Sequence, residues 1–488
     1  MKKIVIIGAN DFQRPLIQKA GERGYETHVF AWREGATGAE DADYFYEISI
    51  TQKQEILKIC REIQPDAVCT IGSGLANVTV QYLAEQLGLP GNSRSCIISS
   101  TNKFEMRKAF EAAGIPVPYF QVAEEGEAIE PPAYPVIVKP TDRSGSRAIT
   151  RVEKREELKA AIQAAVDQSF ERRAIVEEYI PGGEYSVETI SFGGQHLCLA
   201  ITKKFTTGEP HYIEVGHLQP APLSGKVQKR VQELIFAALD ALQVRFGAAH
   251  SEVRIDETGT VRIIEIGSRM GGDCIGSDLV PLSTGQDFVG MVLDTALGQP
   301  PRMSEPKEQV SAIRFLMDKR DLEHLRWLQR CHPDAIRKVV IEGDVETARI
   351  VDSGSRPGFY ILQTETLQDM EYLLHEGPKE NPIETPGLAR DCISRMMEEH
   401  YDSLVINAGL HSDLSCILAK TCVELGLPCR VVGTLEEEQR TSENRETLKR
   451  LKVRELLGPW QELEQTADRA ARELQELGLR PYCLGKIS

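Results

Sequence analysis

Short apolar runs alternate with amphipathic stretches from the first residues of the chain. Lys3–Gly8 reads as a buried strand, a helix runs on to Arg23, and Gly24 stops it before a second strand, Glu26–Ala31. Ile56–Ile63 is helical, Ala67–Ile71 a strand and Asn77–Leu87 a helix. This order predicts a parallel, doubly wound sheet over residues 1–95. Residues 96–122 form a helical bridge, and Pro131-Pro132 breaks the chain before the next strand. Glu153–Ser169 is an amphipathic helix, Phe192–Lys204 continues a sheet, 206–221 is a strand-to-helix loop, 286–297 is helical and 310–375 is strand-rich. From residue 383 the pattern predicts one βαβ unit: strand Ser403–Asn407, helix Asp413–Leu425 stopped by Gly426, and strand Cys429–Gly433. Helices near 443–457 and 462–477 and a short strand at Tyr482–Leu484 follow. The expected class is α/β in three parts: a parallel N-terminal domain (1–95), an α+β module (96–375) and an extra α/β unit (383–488).

Candidate chemistry concentrates between Lys139 and Gly272. Tyr-Pro-Val-Ile-Val-Lys-Pro (134–140) places a lysine on a strand, and Thr-Asp-Arg-Ser-Gly-Ser-Arg (141–147) follows it. Ser144, Gly145 and Ser146 carry little side-chain bulk, so backbone N–H groups there can approach phosphate oxygens. At the other end two apolar strands carry Glu252 and Glu265, with Asp256-Glu-Thr-Gly-Thr260 as the turn between them. A hairpin would set the two carboxylates side by side, the hard-oxygen arrangement that suits magnesium with substrate phosphates. Two solvent-facing glutamates on adjacent strands are the alternative at this point. His217 and Glu214 in 206–221 are candidates for substrate contacts, His250 for orienting its neighbour Glu252, and Asp273 for steering an ammonium; a purely structural histidine is the alternative for His217 and His250. Gly72-Ser73-Gly74-Leu75 lies at the carboxyl edge of the first sheet, where open sheets bind ligands; a plain strand-to-helix turn is the alternative.

These residues, in this order and spacing, resemble the ATP-grasp superfamily over roughly residues 1–375. The resemblance implies that Lys103 and Lys139 are the nucleotide lysines and that 142–147 is the mobile phosphate loop. It implies that Glu177, Glu178, Tyr179 and Ile180 form the adenine hinge and that Glu184 lies near the ribose. Glu252 and Glu265 match the magnesium-binding pair, and Arg269 matches the arginine that holds phosphate or an acyl-phosphate intermediate. Many members have Glu-x-Asn after the second metal strand; this chain has Glu265-Ile266-Gly267. The implied activity is ATP- and Mg2+- (or Mn2+-) dependent joining of a carboxylate, activated as an acyl phosphate, to an amine. Carbamoyl-phosphate-synthase-like carboxyphosphate chemistry and a non-catalytic nucleotide-binding protein stay open as alternatives.

Composition narrows the partners. A net charge of −16 argues against nucleic acid or an anionic membrane surface. Eleven cysteines show no C-x-x-C pair or zinc spacing and read as reduced thiols of a cytoplasmic protein. No apolar run approaches the ~20 residues of a membrane helix. The tail, through Val405–Ser415, Ala419–Cys429 and Gly478–Cys483, resembles the small domain of pyridoxal-phosphate-dependent deaminases and desulfhydrases. That family carries Gln-Ser-Asn-His where this chain has His411-Ser412-Asp413-Leu414, and the cofactor-lysine segment has no counterpart. The tail is therefore expected to bind no pyridoxal phosphate, with Lys420 and Lys449 solvated. It is expected to pack against the rest of the chain or to pair with itself in a homodimer.

Overall fold

A computed structural model describes residues 1–127, 129–143, 145, 147–208, 212–375, 403–406, 413–434, 443–458, 463–477, 479 and 481–484. The chain folds as two compact units, Met1–Lys319 with Arg337–Glu371, and Arg320–Ile336 with Tyr372–Ser488.

The first unit begins with strands β1 (Lys3–Ile7), β2 (Glu26–Ala31), β3 (Tyr44–Glu47) and β4 (Ala67–Cys69), all parallel in the order β3-β2-β1-β4. Helices α1 (Arg14–Glu22), α2 (Lys53–Ile63) and α3 (Gly74–Leu87) connect them. Alternation along β1 explains the double winding. Ile4 and Ile6 pack with α1 on one face, while Val5 and Ile7 pack with α2 and α3 on the other. The expected parallel sheet is present; β3, with no buried residue in its four, was not anticipated.

Two short helices, α4 (Arg94–Thr101) and α5 (Lys103–Ala112), lead to a small sheet ordered β5-β8-β6-β7. Its strands are β5 (Phe120–Glu124), β6 (Val136–Pro140), β7 (Thr150–Val152) and β8 (Arg173–Glu178), covered by α6 (Arg155–Gln168). Val136, Val138, Val152 and Val176 pack on Leu158, Ile162 and Val166 of α6. The period of two then sends Ile137, Lys139 and Glu177 to the opposite face.

The large sheet contains β9 (Gly183–Phe192), β10 (Gln195–Thr206), β11 (Glu214–Gln219), β12 (Gly247–Ile255) and β13 (Val261–Gly267). It also takes β14 (Val310–Phe315), β15 (Ile336–Ile341) and β16 (Gly358–Thr364), in the order β13-β12-β9-β10-β11-β14-β16-β15. Helix α7 (Gly225–Ala241) buries Val231, Ile235 and Leu239 against Val187, Ala249, Val253 and Ile263 on one face. Helices α8 (Val280–Thr284) and α9 (Phe288–Ala296) follow β13. The stretch 206–221 is not simply a loop, because it contains β11, paired to both β10 and β14. Nor is 310–375 only strands: α10 (Lys319–Cys331) and α11 (Leu367–His375) lie within it.

In the second unit, β17 (Ser403–Ile406), β18 (Cys429–Thr434), β19 (Arg454–Gly458) and β20 (Pro481–Leu484) make a parallel sheet ordered β19-β18-β17-β20. Its helices are α12 (Asp413–Glu424), α13 (Glu443–Arg450) and α14 (Leu463–Glu476). The helix expected over 443–457 ends at Arg450, and β19 takes its place after Lys452, which has a left-handed φ of 55°. Lys420 and Lys449 are exposed. His411 and Ser412 of the resembling run lie outside the described residues. No described helix is long and apolar enough to cross a membrane.

Candidate active site

The turn Asp256–Thr260 brings β12 and β13 together as expected, with Gly259 at φ +76°. Register makes Glu252 and Glu265 direct cross-strand partners. The ladder slips between Glu252 and Val253, so Ile264 has no partner and its carbonyl accepts a hydrogen bond from Arg107 Nη2 at 2.7 Å. The chain enters β9 through Pro181-Gly182-Gly183. Gly182 has φ +109°, and a Cβ there would lie 2.3 Å from the Ile255 carbonyl, so only glycine fits.

A cavity of about 290 Å³ opens between the small sheet and the large one. It is lined by Lys103, Lys139, Gly145, Glu177, Glu178, Tyr179, Ile180, Glu184, Glu252, Glu265 and Arg269. Ser144 and Ser146 fall outside the described residues; the other candidate nucleotide and metal residues all reach this one cavity, while of Gly72-Ser73-Gly74-Leu75 only Gly72 lines it.

Most of its charges are paired, in two groups and in a further pair at the far end. In the first, Glu177 is buried between Lys139 Nζ at 2.7 Å and Arg107 Nε at 2.6 Å. Burial alone would raise the Glu177 carboxyl, but Arg107 and Lys139 pull it down to about 2. Burial lowers the Lys139 ammonium from the usual lysine value, with Glu177 opposing. Lys103 Nζ lies 2.9 Å from Glu265 and donates to the Arg143 carbonyl at 2.7 Å. Glu177 is thus the counter-ion beneath the strand lysine, a role its place in the hinge did not suggest. The backbone N–H groups of Glu178 and Tyr179 donate to the carbonyls of Tyr119 and Pro135. Hinge recognition of a ligand by these two residues therefore falls to their carbonyls and side chains.

The second group is written in rows across the large sheet. Arg254, Glu184, Lys204 and His217 are successive cross-strand partners on β12, β9, β10 and β11. The buried Lys204 ammonium meets Glu252 at 2.5 Å, Glu184 at 3.2 Å and Glu214 at 3.5 Å. Against the opposing effect of burial, these carboxylates raise Lys204 well above the usual lysine value. Two rows along on the same face, His250 pairs with Glu188 in register, Nδ1 to Oε1 at 2.6 Å, and its Nε2 lies 3.4 Å from Glu252. Burial opposes charge on His250, but the two glutamates push it up to about 9. Glu252 and Glu265 are both held below the ordinary carboxylate value, against burial, by Lys204 and Lys103 respectively. Arg269 also lines the cavity. Its Nη1 donates to the Met270 carbonyl, while its buried Nε has no hydrogen-bond partner.

At the far end, Asp273 is not free to steer an ammonium. Arg356 holds it through Nη2 at 2.7 Å and Nη1 at 3.2 Å, and His217 Nε2 lies 3.4 Å away. Burial would raise the Asp273 carboxyl, but these partners keep it far below the usual range.

Arg107, Lys204, Glu188 and Arg356 were not anticipated. A signal existed for the first, because Arg107 lies four residues after Lys103 on one helix face. Glu184, Ser186 and Glu188 alternate with Tyr185 and Val187, which marks one polar face of β9. Arg356, 83 residues from its partner, had no local signal.

Residues 132–277 match the model of the ATP-grasp domain. An uncharacterized protein of Sinorhizobium fredii is 27% identical over 251 residues, 50% of this chain and 51% of the relative, so this chain spans about half of that relative's length. D-alanine–D-alanine ligase B of Chromobacterium violaceum is 26% identical over 232 residues, covering 44% of this chain and 75% of the ligase. In fold, the crystal structure of an L-amino acid ligase from Bacillus licheniformis superposes with a TM-score of 0.64. It is 23% identical and covers 76% of this chain and 95% of that structure. Residues 132–277 form an ATP-grasp domain, in a chain that shares its fold with an L-amino acid ligase.

Proposed function

We propose that the cavity binds ATP with a divalent cation and uses it to activate a carboxylate as an acyl phosphate, which an amine then attacks. The observation that carries this reading is the cross-strand pair Glu252 and Glu265, both held below the ordinary carboxylate value and bordered by Lys103, Lys139 and Lys204 in one cavity. The donor set fits magnesium or manganese: two hard carboxylate oxygens side by side, with phosphate oxygens to complete the shell. Bound there, the cation would neutralise charge on the polyphosphate.

Other residues take the roles their positions allow. Lys103, Lys139 and the loop at Ser144, Gly145 and Ser146 hold phosphate. An arriving phosphate would return to Lys139 the favourable charge environment that burial removes. Glu177–Ile180 and Glu184 line the base and ribose portion. Arg269, with its unpaired Nε, stabilises charge that grows as the phosphoryl group moves. No side-chain nucleophile is required, because phosphate is the leaving group. Similarity to a D-alanine–D-alanine ligase supports the carboxylate–amine class.

The test is ADP release by the full chain given ATP, Mg2+ and each common amino acid in turn. ADP release that requires amino acids supports the reading. Release confined to bicarbonate and ammonia replaces it with carboxyphosphate chemistry, and tight ATP binding without turnover makes the site a sensor.

A further inference from the structure

Ligation needs the amine in its neutral form. An α-amino group is largely protonated at neutral pH, and an ammonium nitrogen has no lone pair with which to attack an acyl carbon. A base in the cavity that takes that proton would let the abundant ammonium form serve as the acceptor. Most of its titratable groups are already committed. Glu177 is clamped by Lys139 and Arg107, while Glu184, Glu214 and Glu252 share Lys204. Glu265 pairs with Lys103 and Asp273 with Arg356. His250 has both ring nitrogens on carboxylates.

His217 differs. It lines the cavity, its side chain is 0% exposed, and its Nδ1 is buried with no hydrogen-bond partner. The other nitrogen, Nε2, faces Asp273 Oδ2 at 3.4 Å. A carboxylate beside Nε2 favours the tautomer with its proton there, which leaves a lone pair on Nδ1.

The surroundings hold this pair rigid. Arg356 grips both Asp273 oxygens, donates from Nε to the Ser353 carbonyl at 2.7 Å and from Nη1 to the Glu214 carbonyl at 3.2 Å, and lies 3.5 Å over the Phe315 ring. His217 meets the same ring edge to face. Asp273 and Cys274 both sit at left-handed φ, 53° and 59°, an uncommon conformation that aims the Asp273 carboxylate at the imidazole. A structural histidine gains nothing from a buried unpaired nitrogen, which leaves its desolvation uncompensated.

We propose that His217, oriented by Asp273, is the general base that deprotonates the attacking amine. The proposal rests on the ligase reading above. His217 Nδ1 accepts a proton from the ammonium, and the freed lone pair forms the C–N bond at the acyl carbon. The C–O bond to phosphate breaks, phosphate leaves with that electron pair, and the second amine proton goes to phosphate. His217 returns its proton to solvent.

Hydroxylamine, which is unprotonated at neutral pH, traps acyl phosphates as hydroxamates and needs no base. With the carboxylate that supports ADP release, His217→Gln is expected to keep ATP-dependent hydroxamate formation within about threefold of the wild type. Amide formation with an amino-acid acceptor is expected to fall about 100-fold or more, the usual contribution of a positioned base. Equal loss of both products, or loss of neither, overturns the proposal. Asp273→Asn decides the matter if His217→Gln is misfolded by circular dichroism: the same split supports the dyad, and its absence overturns it. Wild-type protein that makes no hydroxamate from any carboxylate overturns the ligase reading, and this inference falls with it.

Discussion

The two ends of the cavity solve the problem of buried charge differently. At the end with Lys103, Arg107, Lys139, Glu177 and Glu265, each carboxylate has a cation within 3 Å, and the groups come from α5, β6, β8 and β13. At the end with His217, Asp273 and Arg356, a left-handed turn and a distant arginine fix the acid, and the imidazole nitrogen beyond it is unpaired. The first end is an electrostatically closed lattice that a polyanion can enter by exchanging counter-ions. The second leaves one buried imidazole nitrogen without a partner. Binding and proton transfer make opposite demands: binding tolerates saturated partners, and proton transfer needs a vacant lone pair.

Substitutions at the closed end sharpen the contrast. The largest effect is expected for Glu265→Gln, which removes the charge of a proposed cation ligand at nearly constant shape. Turnover should fall by more than the ~100-fold that loss of an outer metal partner costs, with the melting temperature unchanged. Near-normal ADP release with normal metal dependence would remove Glu265 from the site.

Glu177→Gln should act on stability, because it leaves Arg107 and Lys139 buried without their carboxylate. Breaking a buried pair in this way costs about 3–5 kcal/mol, measurable as a shift in the urea midpoint. The pH dependence carries the sign. Glu177 is depressed to about 2 when folded, so its contribution is present above the ordinary carboxylate value of 4.5 and is lost as pH falls toward 2. The wild type should lose more stability between pH 5 and 3 than Glu177→Gln does; parallel curves would mean the carboxylate is not stabilised as its partners imply.

Lys139→Ala removes a charge-assisted contact worth about 1.5–3 kcal/mol, so ATP should bind on the order of 10- to 100-fold more weakly by calorimetry. Unchanged affinity would place the polyphosphate elsewhere. Gly267→Asn is the mildest. A Cβ at 267 would stand 3.4 Å from Arg269 Cζ, an ordinary van der Waals contact, so the longer amide would lie against the guanidinium. A few-fold loss of turnover with unchanged folding is expected, and no loss would separate Arg269 from the reaction.

The same contrast explains what the sequence could tell. Lys139, the loop at 141–147 and the hairpin that pairs Glu252 with Glu265 are local: a strand, a small-residue loop and a turn are written in adjacent residues. The parallel first sheet was equally legible, because both faces of β1 are apolar. By contrast, β11 was hidden in a stretch rich in Gly, Pro and His, where propensity argues for loop and sheet pairing prevails. Lys204 and Arg356 gain meaning only from register and from contacts across tens of residues. In the tail, Glu443–Arg450 continues into β19 because Lys452 turns the chain, which periodicity alone could not reveal.

The central claim is carboxylate activation by ATP, and oxygen-18 transfer tests it most directly. The full chain should be given ATP, Mg2+, an acceptor amine and a carboxylate labelled in both oxygens, and the released phosphate analysed by mass. Passage through an acyl phosphate predicts one labelled oxygen in each phosphate formed. Unlabelled phosphate from a reaction that still makes the amide would contradict the account.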